Sequence, residues 1–179
     1  MTNTTRVVLD SWPVLEAVRG SQWVESAMRK LFLEQVPVMS AVNYGEVYSS
    51  VLMGRGANEA RTTVKRLAER VELDIPDLAR TMQAAHLKAH YYISLGDGFA
   101  AATALHHDAE LWTGDPELVF VGSPWRSRDL RPDPASLREP TKKELMGQVG
   151  LRPPSPGRPT DEPRVATNEL MDFLGLSEN

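Results

Sequence analysis

Short apolar runs that lead into an acidic residue recur along this chain, and they constrain its fold more than any other feature. Val7-Val-Leu9 runs into Asp10, and Leu111-Trp-Thr-Gly114 runs into Asp115. Ser40-Ala-Val-Asn-Tyr-Gly45 leads to Glu46, and Ser94-Leu-Gly96 leads to Asp97. An apolar run that stops at an Asp reads as a buried strand whose last residue emerges at the carboxyl edge of a sheet. In open α/β sheets that edge is where ligands bind. Carboxylates gathered there repel one another and raise each other's pKa unless a cation lies among them. A hard divalent ion, which prefers oxygen ligands, is the natural neutraliser.

The segments between these acids alternate in period. Val7-Val-Leu9 is β-branched and strand-like. A helix follows from Ser11, with Pro13 in its first turn and Gly20 at its end. A second helix from Ser21 carries Trp23, Ala27, Leu31 and Phe32 at helical spacing. Val36-Pro-Val-Met39 reads as a strand and 41–53 as a helix, broken by Gly54-Arg-Gly56. A charged helix over 57–70, a short strand over 71–73 and a helix from Pro76 to about Tyr92 come next. Gly96 precedes an Ala-rich helix over 99–105, Glu110-Leu-Trp-Thr113 is a strand, Pro116 starts one helical turn, and Leu118-Val-Phe-Val121 holds the last strand-like run. Strands alternating with helices predict an α/β/α sandwich, with a central, mainly parallel sheet and helices on both faces.

The chain's 179 residues suit one domain and a tail. Residues 1–130 carry the alternating pattern. Eight of the thirteen prolines fall in 131–179, so that stretch reads as an extension outside the core. Arg152-Pro-Pro-Ser-Pro-Gly-Arg-Pro159 reads as a flexible or polyproline-like linker. Short segments at 141–149 and 167–176 flank it, too poor in apolar residues to fold alone. The last is expected to lie, as an amphipathic helix, against the domain or a partner.

Composition narrows the chemistry. Without cysteine, disulfides, thiolate zinc sites and a Cys nucleophile are excluded. No apolar run approaches the roughly 20 residues that span a bilayer, and the N-terminus has no signal-peptide core, so a soluble cytoplasmic protein is expected. The net charge of −4 gives no overall basic field for nucleic acid. The four acids alone account for that excess, so a phosphate backbone would be held through metal or a local basic patch. Arg55, Lys65, Arg66, Arg126 and Arg128 are phosphate-contact candidates, each with an ordinary reading as a solvated charge.

Each acid also has a bland explanation. Asp10 is placed to cap the following helix, although Ser11 beside it is also a good cap. Glu46 as a lone mid-helix acid is ordinarily solvated, yet its apolar neighbours imply a partner. Asp97 suits a helix's first turn, but the glycines on both sides imply close approach by another group. Asp115, in Gly114-Asp-Pro116, is a natural turn residue. Glu117 is a weaker fifth acid at the rim, Thr113 could hold a carboxylate through its hydroxyl, and Asn43 could contact a carboxylate or a ligand. His86 and His90 stand four apart but lack the acid and third ligand of a zinc helix, and His106-His107 suits a helix C-terminus.

Taken jointly, the segments 7–12, 40–46, 94–104 and 111–117 resemble the PIN-domain family, and most of all the VapC-type toxins of bacterial toxin–antitoxin pairs. The likeness covers about residues 6–125. Asp10, Glu46, Asp97 and Asp115 occupy the places of that family's four acids. The resemblance implies a metal-dependent endoribonuclease that uses Mg²⁺ or Mn²⁺, often dimeric, and held inactive by a cognate antitoxin. It further implies that the four acids hold metal, with Ser11, Thr113, Asn43 and Glu117 around them. The alternative is a non-catalytic PIN-like module that binds RNA or protein, for which an intact acid quartet is a poor fit. A third reading has the tail folded over the site and inhibiting it. Asp10-Ser-Trp12 lacks the second Asp of the haloacid dehalogenase pattern, and no receiver-domain acid pair or Gly-rich phosphate loop is present.

Overall fold

A computed structural model describes residues 5–132. All but the first two residues of the expected extension therefore lie outside the described residues, including both segments at 141–149 and 167–176. In chain order the elements are β1 (Val7–Leu9), α1 (Ser11–Arg19), α2 (Gln22–Glu34), β2 (Val38–Ser40), α3 (Ala41–Arg55) and α4 (Ala57–Ala68). They continue with β3 (Glu72–Asp74), α5 (Leu78–Tyr91), α6 (Leu95–His106), β4 (Glu110–Thr113) and β5 (Arg126–Asp129).

The five strands form one sheet in the order β3-β2-β1-β4-β5, and every pairing is parallel. A parallel sheet must be covered on both faces, and period-2 side-chain alternation divides its residues between two apolar layers. Val7, Leu9, Met39 and Trp112 face one way and pack with Val14, Met28, Val47 and Leu67 from α1–α4. Val8, Val38 and Leu111 face the other and pack with Ala84, Leu87 and the alanines of α6. The α/β/α sandwich with helices on both faces is thus the observed architecture. Among the described residues no helix is long and apolar enough to cross a membrane.

The β1–β4 neighbours are the point where chain order reverses. After β1 the chain winds outward through β2 and β3, then returns to lay β4 on the opposite side of β1. Such a switch point opens a crevice at the carboxyl edge. Asp10 follows β1 and Asp115 lies two residues beyond β4, so both are at that crevice.

One strand differs from expectation. The run Leu118-Val-Phe-Val121 is not a strand, because it turns back through Leu118 N–H to Asp115 O (3.1 Å) and Val119 N–H to Pro116 O (3.4 Å). Its apolar character serves packing: Leu118 is fully buried, and its carbonyl accepts the Trp125 indole N–H at 2.9 Å. The residues from Pro116 make only a turn, without a regular helix. The fifth strand is instead Arg126-Ser-Arg-Asp129, a polar edge strand that pairs with β4 from Glu110↔Arg126 to Thr113↔Asp129. Edge strands are commonly charged, which discourages pairing with other chains.

Candidate functional site

Asp10 is 1% exposed. Its backbone N–H bonds Trp112 O at 3.2 Å, continuing the β1–β4 ladder by one residue. Its side chain caps α1, with Oδ1 accepting from Ser11 N–H at 2.7 Å. Asp10 itself is therefore the cap, and Ser11 is the first helical residue, its hydroxyl 3.4 Å from the same oxygen. The other carboxylate oxygen accepts from Thr113 Oγ1 at 2.8 Å. That hydroxyl oxygen in turn accepts from Asp115 N–H at 2.9 Å. Thr113 therefore ties the ends of β1 and β4 together through the acids that follow them.

Asn43 makes the second tie. It is fully buried one turn into α3, whose cap is Ser40 at the end of β2. Its amide nitrogen lies 3.0 Å from Glu46 Oε2, 3.1 Å from Gly96 O and 3.5 Å from Asp10 Oδ1. Three acceptors around one NH₂ fix the amide orientation, since the flipped amide would aim an oxygen at three oxygens. Among the described residues, the remaining Asn43 Oδ1 is a buried acceptor without a hydrogen-bond partner.

Asp97 is the third residue of α6. Ser94 Oγ accepts from Asp97 N–H at 3.0 Å, and Asp97 Oδ2 accepts from Ser94 N–H at 3.2 Å, a reciprocal capping box. The Ser-x-x-Asp spacing of 94–97 carries this signal in the sequence. The flanking glycines serve close approach. A Cβ on Gly96 would stand 1.9 Å from Glu46 Oε1, so the missing side chain makes room for that carboxylate. A Cβ on Gly98 would stand 2.6 Å from Ala84 O, which seats α6 against α5. Asp115 and Glu117 are half-buried at the rim, where Asp115 Oδ1 accepts from Glu117 N–H at 2.8 Å.

Electrostatics shows the crowding. Burial pushes Asp10 up to about 7, with the charge of Asp97 adding to it while Thr113 and Ser11 pull it back. Burial likewise pushes Asp97 up to about 6, with Asp115 and Glu46 adding repulsion against the Ser94 bonds. Glu117 is raised by burial and then by Asp115 and Asp97. Buried like charges that raise one another, beside an orphaned carbonyl oxygen, make a donor set composed wholly of hard oxygens. That set fits a divalent cation such as Mg²⁺ or Mn²⁺. Among the described residues no three acids or histidines stand in closed ligand geometry. Asn43 and Thr113 thus join Asp10, Glu46 and Asp115, and Asp97 is coupled to them through charge; the four acids are neighbours, not a finished cage.

Three of the cations read as phosphate-contact candidates are engaged by groups other than the four acids. Arg126 pairs with Asp108 at the amino end of β5, Arg128 stacks over Trp112 at 4.7 Å, and Arg55 donates to Val18 O. His86 and His90 stack on each other with ring centroids 6.1 Å apart. His107 does more than end α6: it lies 3.4 Å from Asp74, which also accepts from Arg80 and from Thr103 Oγ1. Burial lowers the His107 pKa, so its imidazole is held toward the neutral form. Sequence reasoning missed this network, for Asp74 is isolated in sequence from every partner.

A PIN domain family model matches residues 7–122. Solved structures with similar backbones include VapBC-1 of nontypeable Haemophilus influenzae, with a TM-score of 0.56 at 16% identity over 69% of this chain and 97% of that one. DNA-bound VapBC of Salmonella typhimurium gives 0.59 at 13% identity over 71% and 99%. VapC20 of Mycobacterium tuberculosis, a toxin that cleaves the sarcin–ricin loop, gives 0.52 at 15% identity over 63% and 92%. At these identities the likeness is one of fold. No curated protein matches the chain significantly by sequence.

Proposed function

The chain belongs to the PIN domain family, and from that premise we propose that it is a metal-dependent endoribonuclease, the cytoplasmic toxin of a toxin–antitoxin pair. The observation that carries the reading is the carboxylate cluster at the β1–β4 switch point, where Asp10 is raised to about 7 and Asp97 to about 6. A binding module gains nothing from carboxylates held at that electrostatic cost. A hydrolase that handles a phosphodiester has a use for them.

In this reading Asp10, Glu46, Asp97 and Asp115 hold Mg²⁺ or Mn²⁺. When bound, such an ion acidifies water and neutralises charge on a phosphate. The rest falls to the chain's own groups. Thr113 and the Ser11 N–H lock the Asp10 carboxylate in one orientation, which spares reorganisation during reaction. Asn43 holds Glu46 between α3 and α6, placing a carboxylate where it can orient an attacking water and accept its proton. Asp97 is fixed by the Ser94 capping box, and Asp115 by the turn that includes Glu117. Glu117 at the rim adds negative charge, favouring cation entry.

The fold-level neighbours include toxins solved with partner chains, which supports a separate antitoxin as the partner here. RNA is the proposed substrate. The test is incubation of purified full-length protein with total RNA and Mn²⁺ or Mg²⁺, against EDTA and an Asp97→Asn variant. Discrete products that need metal and vanish in both controls are expected. Folded protein, free of bound antitoxin, that leaves RNA intact in every metal would favour the non-catalytic binding module.

A further inference from the structure

We propose that residues 167–176 of this chain dock, within the same molecule, into the groove between α1, α2 and α4. The groove is a cleft of about 960 Å³ on the helical layer opposite α5 and α6. Its floor is apolar, with Met28, Phe32 and Leu67, and Leu33 stands at its rim 84% exposed. Arg29, Arg66 and Arg70 line the same cleft together with Glu25, Glu59 and Glu69, and none of these three arginines makes an ion pair among the described residues.

The proposed occupant has complementary character. In Thr167-Asn-Glu-Leu-Met-Asp-Phe-Leu-Gly-Leu176 the residues Leu170, Phe173 and Leu174 fall at helical spacing on one face. Glu169 and Asp172 fall on another, and residues 165–179 contain no Lys or Arg. The apolar stripe matches the apolar floor, and its acidic flank can pair with the arginines among the mixed charges of the walls. This is the groove-and-helix mode of peptide recognition.

The connection permits it. Leu130 is buried in the same apolar layer as Val14, Met28 and Leu67, so the end of the described chain packs on the groove's side of the sheet. Between Pro132 and Thr167 run 34 residues, which reach about 105 Å even at polyproline spacing. A domain of this size has a radius of gyration of about 14 Å. Reach is therefore not limiting, and a tether of this length keeps the segment at an effective concentration on the order of millimolar. The groove also shares α1 with the carboxylate cluster, since Asp10 caps the helix that contributes Val14 and Val18 to the cleft.

The absence of cysteine makes the test direct. Full-length protein carrying Leu33→Cys with Ser177→Cys pairs the groove rim with the tail. Val121→Cys with Ser177→Cys is the control, because Val121 is 85% exposed, lies outside the groove and follows Phe120, which packs into the other apolar layer. Under mild oxidation at low protein concentration, the groove pair is expected to form an intramolecular disulfide at least tenfold faster than the control pair. Adding Phe173→Asp should return it to the control rate. Equal rates for the two pairs would overturn the proposal. So would a groove disulfide that forms only between two chains, which would assign the segment to the groove of a second copy. None of these readouts depends on nuclease activity.

Discussion

Replacing Asp10 by asparagine should stabilise the metal-free protein, and the gain should depend on pH in a calculable way. Asp10 ionises near 3.8 when unfolded and near 7 in the fold. Its folded pKa is raised, so the native state binds the proton more tightly than the unfolded chain, and stability falls as pH rises from about 4 to 7. At about 1.4 kcal/mol per pKa unit, the penalty on the wild type is about 4 kcal/mol at pH 8 and about 1.7 kcal/mol at pH 5. Asparagine keeps an acceptor for Ser11 N–H. It forfeits the charged acceptor of the Thr113 hydroxyl, at a cost of about 1 kcal/mol. Asp10→Asn should therefore be more stable than wild type by about 3 kcal/mol at pH 8 and by less than about 1 kcal/mol at pH 5. The change of about 2.5 kcal/mol between the two conditions does not depend on the hydrogen-bond correction. Urea unfolding followed by circular dichroism, in EDTA at both pH values, measures it. A variant less stable than wild type at pH 8, or an advantage unchanged between pH 8 and pH 5, would refute the reasoning that burial and crowding strain this carboxylate.

Other consequences follow from particular contacts. Gly96→Ala should keep the protein folded, because the clash is with the movable end of Glu46, yet lower RNA cleavage at least tenfold. Cleavage at the wild-type rate would separate Glu46 from the chemistry. Gly98→Ala meets the Ala84 carbonyl instead. It should cost about 1–3 kcal/mol of stability through overpacking, read as a shifted urea midpoint. Thr113→Val strands Asp115 N–H and removes the Asp10 bond. It should cost about 1–3 kcal/mol at pH 8 and move the Asp10 titration, followed by NMR, further up.

The layered fold was legible because its signals are local and mutually consistent. Val7-Val-Leu9 alternates into both apolar layers, and Gly54 to Gly56 marks the break between α3 and α4. The fifth strand was not legible, because Arg126-Ser-Arg-Asp129 has no apolar pattern and is a strand only by pairing with β4. Leu118-Val-Phe-Val121 misled for the converse reason: one buried leucine under Trp125 needs no ladder. Within the site, capping and cluster membership looked like competing explanations for Asp10 and Asp97. The structure makes them compatible, since a cap uses one oxygen or one edge of a carboxylate and leaves the other for its neighbours. The role of Asn43 as a bridge could not be read from sequence, because Gly96 and Asp10 reach it only through the fold.

The account's central claim is that Asp10, Glu46, Asp97 and Asp115 act together as one cation site. Mn²⁺ titration followed by electron paramagnetic resonance, on wild type and on Asp10→Asn, Glu46→Gln, Asp97→Asn and Asp115→Asn, tests it most directly. The account predicts saturable binding by wild type and at least a tenfold loss of affinity in each variant, with every variant folded. Wild type that binds no Mn²⁺, or variants that bind it as tightly as wild type does, would contradict it.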